Sequence, residues 1–162
     1  MNEMIYIGKT VSTFGIKGEL KVISDFEYCD RAYQLDKKIL INNIEHVISG
    51  IRYHKNYVLL KIDNLNNIND ILKYVGFNIY MKRIDLGLKE DEYLYKDLIN
   101  SYVIDDDNTK LGKVIEILNG NNVLIKVKGT KEFFIPLIDN YINKFDLDKK
   151  ILYTKNAKEL IL

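Results

Sequence analysis

The sequence predicts a mainly β protein built from two small β-barrels in series, with one or two short helices. Three observations support this prediction. Short apolar or alternating segments recur along the whole chain and are separated by turns rich in Asn and Gly. Only one segment has the apolar spacing of a helix. A polar, charged stretch near the middle separates two strand-rich blocks of similar length.

The first block reads mostly as short strands. In "GELKVI", Leu20 and Val22 alternate with Glu19 and Lys21, which is the period of a half-buried strand. The segment "GIRYHKNYVLLKI" predicts a hairpin with its turn near His54–Asn56. Further strands are predicted in "MIYIGKTVS", "KKILIN", "EHVISGIRY" and "FNIYMK".

One segment of the first block, "NINDILKYVG", predicts a helix. Its apolar residues at i, i+3, i+4 and i+7 share one helical face: Ile68, Ile71, Leu72 and Val75. Asn67 suits the N-cap, Asp70 is the third helical residue, and Gly76 predicts the end of the helix. Many strands with one short helix indicate a closed or nearly closed barrel that the helix plugs.

The segment "RIDLGLKEDE" (83–92) is the polar joint between the blocks. We therefore expect one barrel over residues 1–83, a linker over 84–91 and a second barrel over 92–162. The second block predicts strands in "SYVIDD", "LGKVIEIL", "NVLIKV", "KEFFIPL" and "KKILYT". Pro136 ends its strand before a short helical turn expected at Asp139–Ile142, because proline fixes φ and has no N–H to donate.

Composition limits the classes of function. The 162 residues carry a net charge of +1, with +2 in residues 1–82 and −1 in residues 83–162, so neither half binds nucleic acid by bulk charge alone. Any RNA contact must be local or shared with a protein partner. The single cysteine, Cys29, excludes a disulfide within the chain and suits a reducing compartment. Without a signal peptide or a membrane-spanning apolar run, we expect a cytoplasmic protein with no membrane partner.

Nothing in the sequence argues for an enzyme. The segment "DDDNTKLGKVIE" places Asp105, Asp107 and Glu116 at positions 1, 3 and 12 of a calcium loop, but Lys110 occupies position 6, where glycine is needed. An acidic β-turn is the better interpretation. The two histidines lack metal-ligand spacing, and no nucleophile motif is present. We therefore predict no catalytic residue, no metal site and no cofactor.

The loop in "STFGIKGELKVI" carries Gly15, Lys17 and Gly18. A phosphate-binding P-loop needs a longer glycine spacing and a following helix, and the G-x-x-G loop of KH domains joins two helices. Here the flanking segments are both strands. The loop is therefore interpreted as a hairpin turn in which glycine supplies positive φ.

The segment "EDEYLYKDLIN" follows the joint. Tyr93 and Tyr95 lie two residues apart, so an extended chain places both on one face. Paired aromatics on one face are either core residues or anchors for a protein partner, and from the residues alone core packing is the favoured interpretation.

Four segments, in order and at about the right spacing, resemble the RimM family of ribosome maturation factors, which are 16S rRNA-processing proteins. "IGKTVSTFGIKGELKVISDF" is similar to the family's opening signature, and "LLKIDNLNNINDILKYVGFNIYM" is similar to its strand–helix–strand segment. "EDEYLYKDLIN" resembles the E-Y-Y-x-x-D-L signature that opens its second domain. "LGKVIEILNGNNVLIKVKGTKEFFIPLIDNYI" resembles its closing section.

The resemblance implies an N-terminal barrel like those of translation proteins and a C-terminal PRC-type barrel. It also implies a monomeric, non-enzymatic factor that binds the immature 30S subunit through ribosomal protein S nineteen and the 16S rRNA of the head, and that assists rRNA folding and processing. The ribosomal-protein contact then falls on Tyr93, Leu94, Tyr95 and Asp97. We expect rRNA contacts at Lys9, Gly15, Lys17, Gly18 and Lys21.

Some residues depart from the family pattern. Phe14 stands where the family usually has histidine, and Leu94 replaces the second tyrosine of E-Y-Y. Asn100 replaces the glycine after D-L-I, which leaves the backbone turn there open, and Gly120–Val123 lacks the usual aspartate. The alternative function is a generic RNA-binding β-barrel module without a ribosomal-protein partner.

Overall fold

The computed structural model describes residues 3–162. The chain forms two compact units, Met1–Leu88 (unit 1) and Lys89–Leu162 (unit 2). Both are built mainly from strands, which confirms the predicted fold class. In the part of the chain that is described, no helix is both long and apolar enough to cross a membrane.

Unit 1 is a closed barrel of six antiparallel strands, namely β1 (Met4–Phe14), β2 (Glu19–Ile23), β3 (Lys38–Ile41), β4 (Ile44–His54), β5 (Tyr57–Ile62) and β6 (Asn78–Lys82). Their order around the barrel is β1-β2-β5-β4-β3-β6. Leu20 and Val22 are fully buried in its interior, as their alternation predicts. Register shifts between Tyr6 and Gly8 and between Thr10 and Ser12 mark bulges that bend β1 between its two neighbours, β6 and β2.

Two short helices accompany this barrel. The helix α1 (Cys29–Ala32) was not predicted from the sequence. The predicted helix begins as expected at α2 (Ile68–Ile71), where the Asn67 side chain accepts a hydrogen bond from the backbone N–H of Asn69 at 2.9 Å. It then tightens into a 3-10 turn over Leu72–Tyr74. Leu72, predicted on the buried face, is instead 53% exposed, because the tighter turn changes which residues face the barrel.

The joint between the blocks has structure of its own. Arg83–Leu86 forms a 3-10 turn, and the side chain of Leu86 is buried within unit 1. The backbone carbonyl of Gly87 accepts a hydrogen bond from the Arg31 guanidinium at 3.4 Å. These contacts attach the beginning of the joint to unit 1, while the limits 1–83, 84–91 and 92–162 stay a prediction.

Unit 2 is a six-stranded sheet of β7 (Tyr102–Ile104), β8 (Lys110–Leu118), β9 (Leu124–Lys128), β10 (Glu132–Pro136), β11 (Ile142–Asp146) and β12 (Ile151–Thr154). Their order in the sheet is β10-β9-β8-β7-β12-β11, with β7 and β12 parallel and the other pairs antiparallel. Phe133 and Ile135 on β10 and Phe145 on β11 pack on one shared core, so the sheet curls around that core. A short helix, α3 (Tyr95–Leu98), precedes them.

One strand of unit 2 was missed. The helical turn predicted at Asp139–Ile142 is a hydrogen-bonded turn in which the N–H groups of Tyr141 and Ile142 donate to the Ile138 carbonyl. The chain then enters β11, whose register with β12 shifts between Ile142 and Lys144. That irregularity breaks the two-residue period by which strands are found in sequences.

Candidate functional site

The predicted Gly-Lys loop is the turn of the β1–β2 hairpin. Phe14 and Glu19 form the last paired position of the two strands, and residues 15–18 connect them. Gly15 has a φ of +63° and Gly18 a φ of +90°. The hairpin interpretation is confirmed, and both glycines adopt the positive φ that it requires.

Gly18 has a packing role. It is buried, and a Cβ atom at this position would overlap the backbone carbonyl oxygen of Leu65. The Ile16 carbonyl accepts a hydrogen bond from the N–H of Ile68 at 3.1 Å, which fixes the loop on the start of α2. Gly18 therefore offers no surface to RNA, contrary to its expected role, whereas Gly15 is exposed with open space around it.

The three predicted lysines lie on the outside of the barrel. Lys17 is exposed at the loop, and Lys9 is exposed on β1. Lys21 is half-buried on β2, where its Nζ atom lies 3.9 Å from the ring centroid of Tyr57 on β5. The aromatic ring holds the ammonium group of Lys21 without the help of a carboxylate, so the positive charge of Lys21 is not neutralised.

An ion pair that the sequence did not indicate, together with two aromatic rings, completes this region. The Arg52 guanidinium donates two hydrogen bonds to the carboxylate of Glu19, at 2.7 and 2.8 Å, and lies 5.3 Å from the ring centroid of Phe14. The rings of Phe14 and His54 are 5.0 Å apart. The hydrogen bonds from Arg52 hold the pKa of Glu19 below its ordinary value, which keeps the carboxylate ionised.

We call this region the aromatic–basic face and define it by Phe14, Lys21, Arg52, His54 and Tyr57. It places three rings beside two cations on the outer surface of one barrel, and of these cations Arg52 is paired with Glu19 whereas Lys21 is not. Cations with neighbouring rings are the groups that contact phosphates and stack on unpaired bases. Phe14, which replaces the family's usual histidine, is part of it. The sequence indicated Lys21 as an rRNA contact and the β4–β5 hairpin that brings His54 beside Tyr57, but it gave no signal for Arg52.

In unit 2, two of the predicted ribosomal-protein contacts are structural. Leu94 is 1% exposed and Asp97 is 7% exposed. The Asp97 carboxylate accepts a hydrogen bond from the N–H of Leu94 at 2.8 Å, and its backbone carbonyl accepts one from Lys150 Nζ at 2.5 Å. Buried residues have no surface for a partner. Leu94 and Asp97 instead build the first turn of α3, where a carboxylate commonly accepts hydrogen bonds from backbone N–H groups.

The other two predicted contacts keep some accessible surface. Tyr93 is half-buried against the core, with its ring centroid 5.2 Å from that of Phe145. Tyr95 is half-buried as well. Asn100, which replaces the family's glycine, has a φ of +68°, a left-handed conformation that asparagine tolerates, so a turn persists after α3.

The carboxylates of Asp105 and Asp107, in the acidic turn that resembles a calcium loop, form hydrogen bonds and an ion pair with other residues of unit 2. Asp105 is buried, and its Oδ1 accepts hydrogen bonds from the Thr154 hydroxyl at 3.0 Å and the Ala157 N–H at 3.2 Å. Asp107 pairs with Lys158, and the hydrogen bond from that ammonium lowers the pKa of Asp107 to about 2. The turn therefore holds the 3-10 helix Ala157–Leu160 against the sheet.

His46 is a core residue of unit 1. Its side chain is 2% exposed, its Nδ1 lies 2.6 Å from an oxygen of Asp63, and its ring packs edge-on against Tyr74. The other carboxylate oxygen of Asp63 accepts the N–H of Val47 at 2.9 Å. These contacts tie β4 to the segment after β5.

Comparison with known families assigns each unit. Residues 5–86 match the family model described as the RimM N-terminal domain, and residues 90–161 match the PRC-barrel domain. The chain is therefore a two-domain protein in which a RimM-type barrel precedes a PRC barrel.

Whole-length relatives agree with this assignment. The proteins named ribosome maturation factor RimM from Staphylococcus haemolyticus and Staphylococcus aureus strain Newman are each 37% identical to it. The alignments cover 91% and 93% of this chain and 93% and 95% of the relatives. A crystal structure titled as a putative 16S ribosomal RNA processing protein RimM from Pseudomonas aeruginosa aligns over 97% of this chain and 99% of its own, with 21% identity and a TM-score of 0.47. This chain belongs to the RimM family.

Proposed function

We propose that this protein is a ribosome maturation factor that binds the immature 30S subunit and assists the folding and processing of its 16S rRNA. The observation that carries the proposal is the 37% identity to proteins named ribosome maturation factor RimM, over 93% of the chain for the Staphylococcus aureus relative. Both domains of the family are present in the expected order. The factor acts in the cytoplasm as a monomer, without a catalytic residue or a cofactor.

Unit 1 is the proposed rRNA-binding unit. Lys9, Lys17 and Lys21 contact phosphates, and the aromatic–basic face extends the contact to unpaired bases. The exposure of Lys17 at the loop and the Lys21–Tyr57 contact support this proposal. Such contacts position RNA without a reactive centre.

Unit 2 is the proposed protein-binding unit, with ribosomal protein S nineteen as the partner. Tyr93 and Tyr95 contribute the accessible aromatic surface, and the buried Leu94 and Asp97 hold their backbone. Tyrosine suits this role because it buries a large area at a low entropy cost.

Co-sedimentation with ribosomal particles tests the function. We expect the protein to sediment with immature small subunits and only weakly with mature ones. The variant Lys9→Gln/Lys17→Gln/Lys21→Gln should lose most of this binding. A matched triple variant, Lys38→Gln/Lys73→Gln/Lys82→Gln, should keep it, since those exposed lysines belong neither to the proposed lysine contact nor to the aromatic–basic face. Equal sedimentation with both kinds of particle, or with neither, would refute the proposal.

A second variant distinguishes the proposed function from the alternative, which is an RNA-binding module without a ribosomal-protein partner. Tyr95→Ala should weaken binding to purified ribosomal protein S nineteen, while Tyr153→Ala, another half-buried tyrosine of unit 2, should not. Tyr95 is the better target because Tyr93 packs on the core and its truncation would disturb the fold. Unchanged binding by a folded Tyr95→Ala variant would favour the alternative.

A further inference from the structure

Unit 2 has an open groove of about 670 Å³ on its outer surface, alongside β7, β8 and β9. Four lysines line it, namely Lys110, Lys113, Lys128 and Lys158. Among the described residues, no carboxylate side chain lines the groove. We call this surface the lysine groove. It lies on the unit whose sequence carries the lower net charge, so composition gave no sign of it.

Strand register aligns the charges. Tyr102 on β7 lies directly opposite Lys113 on β8, and Lys113 lies opposite Lys128 on β9. Cross-strand partners point to the same face of a sheet, on strands about 4.8 Å apart, so these side chains form one row across the sheet. The Nζ atom of Lys113 lies 4.8 Å from the ring centroid of Tyr102, which is 50% exposed.

Most of these charges are not neutralised by the protein. Lys158 pairs with Asp107, and Glu132, which lies opposite Lys128, pairs instead with Lys126 at 3.2 Å. The other three groove lysines are exposed and take part in none of the ion pairs formed within residues 3–162. The groove therefore holds three lysines that form no ion pair within residues 3–162.

Two glycines allow the strands bordering the groove to approach closely. A Cβ atom on Gly112 would overlap the carbonyl oxygen of Lys128, and one on Gly129 would overlap that of Leu111. Gly112 also has a φ of +139°, which a residue with a side chain adopts only under strain. Both positions line the groove, so any larger side chain would disturb its wall as well as fill it.

We propose that the lysine groove binds the phosphate backbone of RNA, which gives unit 2 an RNA contact of its own in addition to its proposed protein contact. An array of exposed lysines, three of which form no ion pair, complements a polyanion. The groove also presents exposed Tyr102 and Ile115, but lysine is depleted at the centres of protein interfaces, so four lysines make a protein partner the poorer fit. The inference depends on neither Tyr95 nor the lysines of unit 1.

The test compares two double variants of the full chain. Lys113→Gln/Lys128→Gln removes two groove lysines. Lys144→Gln/Lys149→Gln removes two exposed lysines elsewhere in unit 2 and matches the change in net charge. The control also matches locally, because Lys144 lies opposite Tyr153 with its Nζ atom 5.1 Å from that ring, as Lys113 does with Tyr102. The probe is a fluorescein-labelled RNA duplex of mixed sequence, and its affinity is measured by anisotropy at several salt concentrations.

We expect the groove variant to weaken RNA binding by about ten- to a hundredfold and to reduce the slope of log K against log salt by about 2, with no comparable change in the control. The same difference should persist when both pairs are introduced into the Lys9→Gln/Lys17→Gln/Lys21→Gln background. This separates a failure of the groove from a failure of the unit 1 contact. The charge-conserving variant Lys113→Arg/Lys128→Arg should retain binding, and circular dichroism checks that each variant is folded.

Three results would overturn the inference. Equal losses in the groove variant and its control would mean that only net charge matters. Unchanged binding in a folded groove variant would mean that the groove does not contact RNA. Competition by polyglutamate as effective, per charge, as competition by unlabelled RNA would identify a general acidic-protein surface instead.

Discussion

The Gly-Lys loop of unit 1 and the tyrosine segment of unit 2, which carries Tyr93 and Tyr95, differ in chemistry. In both of them, however, one residue is buried and shapes the backbone while another keeps accessible surface. In the loop, Gly18 is buried against Leu65 while Lys17 stays exposed. In the tyrosine segment, Asp97 is buried and caps α3 while Tyr95 keeps accessible surface. Each of these two segments therefore combines buried residues that shape the backbone with residues whose side chains remain accessible to a partner. Substituting an accessible residue should weaken partner binding directly. Substituting a buried residue should weaken it only by disturbing the fold.

The largest effect is expected from Gly18→Ala. A Cβ there overlaps backbone atoms and the φ of +90° is unfavourable, so we expect a loss of about 2–4 kcal/mol in the free energy of unfolding. Gly15→Ala is the control, because it also has a positive φ but open space around it, and should cost about 1 kcal/mol. Urea unfolding measures both values. Similar losses at the two positions would show that packing on Leu65 is unimportant.

A smaller effect is expected from Asp97→Ala in unit 2. The variant leaves the buried N–H of Leu94 without its acceptor and should cost about 1–3 kcal/mol in the free energy of unfolding. Asp91→Ala, at an exposed position just before the segment, should have little effect. If Asp97→Ala instead abolished binding to ribosomal protein S nineteen with no loss of stability, Asp97 would be a contact residue after all.

The smallest effect concerns the Asp107–Lys158 pair and depends on pH. The pKa of Asp107 is about 2 in the folded protein and 3.8 in the reference state, so the pair stabilises the fold above pH 3.8 and loses its contribution as the pH falls to about 2. Both side chains are exposed, so we expect only a small decrease in melting temperature for Asp107→Asn at pH 6. The difference from the parent should shrink as the pH falls below 3.8 and vanish only below pH 2. A difference that is independent of pH would contradict this account.

The sequence predicted what depends on short-range pattern. The alternation of Leu20 and Val22 located β2, and Asn67 located the start of α2. Where the local pattern is irregular, prediction failed. The bulge in β11 hid a strand, and the 3-10 turn after Ile71 moved Leu72 to the surface.

The candidate sites were predicted less completely, because their geometry comes from residues distant in the sequence. Arg52 contacts Glu19, which is 33 positions away in the sequence, and only the strand register places Lys113 opposite Lys128. The burial of Leu94 and Asp97 also depends on the core formed by the rest of unit 2. A sequence pattern identifies such residues as a group, but it does not show which of them face solvent.

Hydrogen exchange followed by mass spectrometry tests the proposed separate surfaces most directly. The full chain is compared free, with immature small subunits and with mature ones. The account predicts slower exchange in residues 15–21 of unit 1 and 92–96 of unit 2 with immature particles only, and an additional decrease at 110–113 if the lysine groove holds RNA. Protection confined to one unit, or the same protection with mature particles, would contradict it.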